Sequence, residues 1–242
     1  VCLFAALGLV LSFITYLALP DQRENTSQKG VLSDAAEVLS NPKVLLSCIF
    51  AGVMVGPLEG FADVWAATFL LRVYGYETSF AASLPSLIFV GMCFGAPVLT
   101  FIADRIKSYL AVIVGSGFLM AVGFTAFLTT ELSTQVLSLS FVVIGVCCAY
   151  QILAIYKAST YVRPQLAGQA TALANMIIMF FGYGFHAAIG FAVKHFGGAS
   201  NPESLTYGIW IIPAALAVGA LGFTGLWAAE LRGEKNVQLR SS

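Results

Sequence analysis

Apolar residues fill the chain in seven blocks, 1–19, 43–71, 79–102, 108–129, 134–156, 165–193 and 206–229, separated by short polar joints. Each block approaches or exceeds the ~20 residues that carry an α-helix across a bilayer core. The joints hold the helix breakers: Pro20-Asp21, Asn41-Pro42, Tyr74-Gly75-Tyr76-Glu77, Asp104-Arg105, Thr129-Thr130-Glu131, Arg163-Pro164, and Gly197-Gly198 with Asn201-Pro202. Pro42 and Pro164 stand where a following helix would begin, a place that wastes no backbone donor. Seven membrane helices are therefore predicted, and the one long connection is 20–42. Within it Val31–Leu39 has the pattern of a short amphipathic helix lying on the membrane surface, with Ser33 as its candidate N-cap.

The placement of charge orients these helices. Ten basic residues (Arg23, Lys29, Lys43, Arg105, Lys107, Lys157, Arg163, Arg232, Lys235 and Arg240) fall on one side of a seven-span layout, and only Arg72 and Lys194 on the other. The positive-inside rule makes the richer side cytoplasmic, so Val1 is expected outside and the tail 230–242 inside. Trp65 and Trp210 near outer ends, and Trp227 near an inner end, are expected to anchor at the interfaces. The chain opens in apolar sequence without an initiator Met or a cleavable signal, and reads as a piece of something longer.

A few polar residues break the apolar blocks. Glu59 and Asp63 lie four apart in the 43–71 block, on one helix face, just after Gly56-Pro57. An acid at membrane depth costs at least a few kcal/mol, so it normally faces the protein interior or a watery cavity. Gly56-Pro57 weakens the backbone ladder at that point, as in kinked helices that line substrate pathways. Glu59 is thus the first candidate for taking up and releasing a proton, with Asp63 beside it; structural pairing with neighbouring hydroxyls and backbone is the alternative. His186 shares a small-and-polar stripe with Gly168, Asn175 and Gly182, and could relay protons to Asp63 or simply bond a backbone carbonyl. Tyr150 and Gln151 could bind a solute or join two helices.

Composition narrows the class. Of 242 residues 59% are hydrophobic and 10% charged, with mean hydropathy +0.87, against roughly a quarter charged in soluble domains. A polytopic membrane protein with lipid as its solvent is indicated, and nothing suggests a nucleic-acid partner. The five cysteines sit inside apolar blocks without ligand spacing, which argues against a metal site. There is no Gly-rich phosphate loop, no His-Glu-x-x-His and no Gly-x-Ser-x-Gly, and the only histidines are His186 and His195. These absences point away from ATP-driven transport and from a membrane hydrolase, and no cofactor is implied.

The stretch running from Gly91 through Gly95, Pro97, Thr100, Asp104 and Arg105 to Lys107 resembles the cytoplasmic signature of the major facilitator superfamily. In that signature a Gly is followed four residues later by Asp-Arg and further basic residues. Here Thr100 stands where the family usually has Gly, and the basic run is thinned to Lys107. The segments 37–45 and 63–75 look like the central loop and seventh helix of permease-like members, and 164–176 resembles the start of the eleventh. The resemblance covers essentially the whole chain.

It implies an all-α membrane protein: 1–19 as the sixth helix, 20–42 as the central loop, and 43–229 as a six-helix bundle of two three-helix repeats. Asp104, Arg105 and Lys107 would brace the bundles in one access state. Physically, Asp104 can cap the next helix, and Arg105 can bond carboxylates or helix ends. The family's sixth, ninth and twelfth helices lie outside against lipid, and blocks 1–19, 108–129 and 206–229 hold no charge before their ends. The implied function is secondary transport of a small solute by alternating access, proton-coupled through Glu59, in the bacterial cytoplasmic membrane. Its other bundle would be an N-terminal six-helix half. A receptor or scaffold on the same fold, binding without flux, is the alternative.

Overall fold

In the computed structural model the described residues are 2–18 and 30–241, with side chains for 5–18, 30 and 33–233. Pro20-Asp21, Arg23 and Lys29 lie outside them. The chain divides into two units, Val1–Asp34 and Ala35–Ser242. The first contains the apolar helix α1 (Cys2–Ala18), whose described side chains are exposed, and the opening of α2 (Val31–Ser40). Gly30 supplies the carbonyl that accepts the Ser33 and Asp34 N–H groups at 2.8 and 3.3 Å. Ser33 therefore sits inside the first turn and is not the N-cap, because the helix begins two residues before it.

The second unit holds six helical spans long and apolar enough to cross a membrane. They are Pro42–Arg72, Thr78–Ile106, Tyr109–Thr129, Thr134–Ser159, Pro164–His195 and Pro202–Gly233. Several are jointed. The first comprises α3 (Pro42–Val53), a π-helix (Gly56–Trp65) and α4 (Ala66–Arg72), and the second α5 (Thr78–Ser83) and α6 (Ser86–Ile106). The third is α7 (Tyr109–Thr129), and the fourth joins α8 (Thr134–Cys148) to α9 (Tyr150–Ser159) at Ala149. A 3₁₀ turn (Pro164–Leu166) leads into α10 (Ala167–His195). The last span joins α11 (Pro202–Ile209) to α12 (Ile211–Ser241), which continues as helix through the region read from sequence as a tail. No strand occurs among the described residues.

The first and fourth spans are the most buried within the unit, at 67% and 56%, and the second and fifth the least, at 28% each. The spans of α7 and α12 are intermediate, at 50% and 39%. Phe61 explains why the first span sits deepest. It is fully buried on the π-helix, with its ring 5.2–6.0 Å from those of Phe69, Phe124, Phe127 and Phe141. Such edge and tilted pairs add ~0.5–1.5 kcal/mol each beyond burial, so this cluster ties the π-helix to α7 and α8. Trp65 is half-buried beside it: its indole packs against Gly190 and its Nε1 is buried.

At the end of the unit that holds Asn41 and Arg163, side chains stitch the connections together. Asn41 caps α3 by accepting from the Lys43 N–H at 3.0 Å, with Pro42 in the first turn, and its Nδ2 donates to the Tyr161 carbonyl at 2.8 Å. Arg163 donates to both oxygens of Glu37 on α2 at 2.8 Å. Val38 of α2 packs onto Val44, Cys48, Ala158 and Leu166. Lys157 pairs with Glu230 at 2.9 Å and lies over the Tyr161 ring. Burial, and then the Glu230 carboxylate beside it, push the Tyr161 phenol well above its ordinary value.

The Asp104–Lys107 turn differs from its expected form. Lys107 takes the left-handed conformation (φ 56°) that ends α6, and Ser108 caps α7 by accepting from the Ala111 N–H at 3.3 Å. Asp104 is still in the last turn of α6, too early to cap, and accepts from the Tyr109 hydroxyl at 2.8 Å. The Arg105 guanidinium lies over the Phe101 ring, 5.1 Å from its centroid, so among the described residues it meets an aromatic face where a carboxylate or helix end was expected.

Candidate functional site

The site grows out of a break in the first span. Pro57 has no N–H, so the carbonyl four residues before it receives no helical bond there. α3 stops at Val53, and the Met54 and Val55 amides bond back to Ala51 and Gly52 at 3.2 and 3.1 Å. The chain then resumes as a π-helix over Gly56–Trp65, whose wider turns are rare and concentrate at functional sites. The sequence marked a kink at Gly56-Pro57; the structure makes it ten residues of altered winding.

The fourth span breaks as well, at Ala149 between α8 and α9, with no proline or glycine to announce it. The two breaks are joined. Tyr150, fully buried, donates its hydroxyl to the Ala51 carbonyl at 2.6 Å, on the turn where α3 ends. That hydroxyl is committed to a helix–helix bond. Tyr150→Phe is expected to remove this bond while the Met54 N–H still serves the Ala51 carbonyl, and to cost ~0.5–1.5 kcal/mol, read as a lower unfolding midpoint in detergent. Gln151 is also buried, at 6% exposure, and its Nε2 has no partner among the described residues.

Glu59 sits on the π-helix, half-buried, and packs against the Cα of Gly182 on α10. A Cβ at Gly182 would stand 3.0 Å from the Glu59 Cβ and 3.7 Å from Oε2, so the absent side chain makes room for this carboxyl. One turn further along α10, His186 Nε2 donates to the backbone carbonyl of Glu59, with the imidazole half-buried. Asp63 is exposed and no bond joins it to His186, so the imidazole meets the Glu59 backbone and not the Asp63 carboxylate.

The stripe on α10 divides in two. Gly182 and His186 meet the π-helix, whereas Gly168 and Asn175 are exposed and the space over Gly168 is open. Asp104, Arg105 and Lys107 belong to the turn between α6 and α7 and are not part of this group. The structure thus gathers Glu59 and His186, with Asp63 beside them and Tyr150 securing the break. Among the described residues no cluster of His, Cys, Asp or Glu could hold a metal ion. Chemically the group offers one carboxyl and one imidazole whose Nε2 is engaged by the Glu59 carbonyl.

The family model of the Major Facilitator Superfamily matches residues 1–187, more than half of the chain. The chain belongs to the major facilitator superfamily. No curated protein matches it. Members of this superfamily are membrane transporters and not enzymes, so the six apolar spans belong to an integral membrane transporter. Sequence reasoning missed the break at Ala149; it offered Tyr150 as a residue that could join two helices, but not Ala51 as its partner. The stripe at Gly182 was visible, but not that it cradles Glu59.

Proposed function

We propose that the chain is the C-terminal half of a major-facilitator secondary transporter that moves a small solute by alternating access and couples it to protons through Glu59. The observation that carries this is the setting of Glu59: a half-buried carboxyl on a π-helical break in the most buried span, seated against Gly182. Broken membrane helices are where transporters build solute and ion sites, because unwound backbone is tolerated only where it faces protein or a cavity. A carboxyl there is costly, and proton exchange is the use that fits it best.

His186, donating from Nε2 to the Glu59 carbonyl, would hold the π-turn in register while Asp63 offers an exposed second carboxylate on the way out. The N-terminal six-helix half would supply the opposite wall, and rocking of the halves would expose the site to each side in turn. The distribution of basic residues supports a cytoplasmic C-terminus, and a bacterial cytoplasmic membrane suits that orientation.

The test is proton movement in liposomes carrying the full-length transporter on addition of candidate solutes, comparing the parent with Glu59→Gln. Solute-driven proton uptake in the parent, reduced at least tenfold in the variant, is the expected outcome. Equal uptake in both would remove Glu59 from coupling, and no flux of any solute would remove transport.

A further inference from the structure

A cavity of about 320 Å³ opens where the first and third spans end, between the loop after Arg72 and the loop after Thr129. Its walls include Tyr74, Tyr76, Thr129, Thr130, Glu131 and Leu132. It lies fifteen residues beyond Glu59 along the chain, on the order of 20 Å at helical rise, so it is separate from the Glu59 site. Its volume falls within the ~300–1,000 Å³ usual for small-molecule pockets.

The hydroxyls of the walls are engaged in bonds within the protein. Tyr74 donates its hydroxyl to the Phe127 carbonyl at 2.8 Å and reaches that of Thr130 at 3.4 Å, pinning one loop to the other. The Tyr76 hydroxyl is paired with the Thr134 hydroxyl at 3.0 Å. Thr129 and Thr130 donate to the Thr125 and Ala126 carbonyls at 2.7 and 2.9 Å. The cavity is also lined by two aromatic rings, with centroids 5.6 Å apart and tilted by 32°, and by one carboxylate; Tyr74 packs on Phe69 and Tyr76 on Phe80 as well. Glu131 is exposed and has no cation within ion-pair distance among the described residues. Arg72 and Glu77 flank the cavity in sequence but do not line it. Burial raises the Tyr74 phenol above its ordinary value, a backbone bond from Leu132 opposes this, and Tyr76 and Glu131 add to it.

A cavity whose hydroxyl donors are already engaged and whose one charged lining group is the Glu131 carboxylate repels an anion. It suits a cation with apolar substituents, which needs no donor and is attracted to the negative faces of the rings. We propose that this cavity binds an organic ammonium ion, its alkyl groups against Tyr74 and Tyr76 and its charge facing Glu131.

The test is calorimetric titration of the purified protein in a nonionic detergent with choline, and with 3,3-dimethylbutan-1-ol as its uncharged isostere. Saturable choline binding is expected, with none for the isostere. Glu131→Gln, on an exposed side chain that leaves the fold alone, is expected to weaken binding at least tenfold, as is Tyr76→Leu. Glu59→Gln is expected to leave it unchanged. The proposal fails if choline shows no saturation, if the isostere binds equally, or if Glu131→Gln binds like the parent. It fails too if Glu59→Gln abolishes binding, or if sodium at equal concentration displaces choline.

Discussion

Gly145→Leu is expected to yield no folded protein, and Gly145→Ala to lose about 3 kcal/mol, the upper end of what overpacking a close contact usually costs. The reason lies in what a side chain there would meet. A Cβ on Gly145 of α8 runs into the backbone carbonyl of Ile88, at the start of α6. Further along the same crossing, Cβ atoms on Gly91 and Gly95 of α6 run into the carbonyls of Val142 and Val146. The three glycines thus let two backbones touch over two helical turns, and a flexible side chain that could swing aside is missing at the nearest point.

In lipid no hydrophobic force drives helices together, so close backbone packing of this kind supplies much of the association. Against a total stability of ~5–15 kcal/mol, a loss of this size is large. Gly115 of α7 provides the contrast, because the space over it is open. Gly115→Ala is expected to gain up to ~1 kcal/mol from helix propensity alone. Unfolding midpoints of the three variants in detergent decide the matter, and a Gly145→Ala protein as stable as its parent would sink the explanation.

These glycines also show which parts of the fold can be read from sequence. The spans were legible because transfer from water to lipid accumulates residue by residue: block 43–71 became Pro42–Arg72, and 165–193 became Pro164–His195. Asn41-Pro42 was legible as a helix start because capping is local. The Gly91-x-x-x-Gly95 spacing stood in plain view as a helix-packing pattern, yet it was taken up only as part of a loop signature. Other features depend on partners distant in sequence. The break at Ala149 carries no local breaker, and Tyr150 finds Ala51 across 99 residues. Whether His186 would bond Asp63 or a backbone carbonyl was open in the sequence, since both lie within reach of one helix face. The π-helix settled it by presenting the Glu59 carbonyl instead. Ser108 displaced Asp104 as the cap of α7 because the turn is two residues long, a length that motif resemblance does not specify.

Gly182 carries the other large effect, on transport. A methyl there would sit 3.0 Å from the Glu59 Cβ and 3.2 Å from its Cγ, inside normal contact, and those atoms are held close to the π-helix backbone. Neither helix yields freely, since Phe61 is locked among four rings on the far side of the π-helix. The carboxyl must therefore move with its side chain. Gly182→Ala is expected to cost ~1–2 kcal/mol in stability, within the range for overpacking, and to cut solute-driven proton flux at least tenfold. Gly182→Leu, which occupies the space of the carboxyl itself, is expected to abolish flux while the protein still elutes as a folded species. Gly184 stands two residues away on the same helix with open space above it, so Gly184→Ala separates a general effect on α10 from one at Glu59. Flux lost in both alanine variants would point to the helix as a whole; flux lost only at Gly182 ties transport to the position of the Glu59 carboxyl.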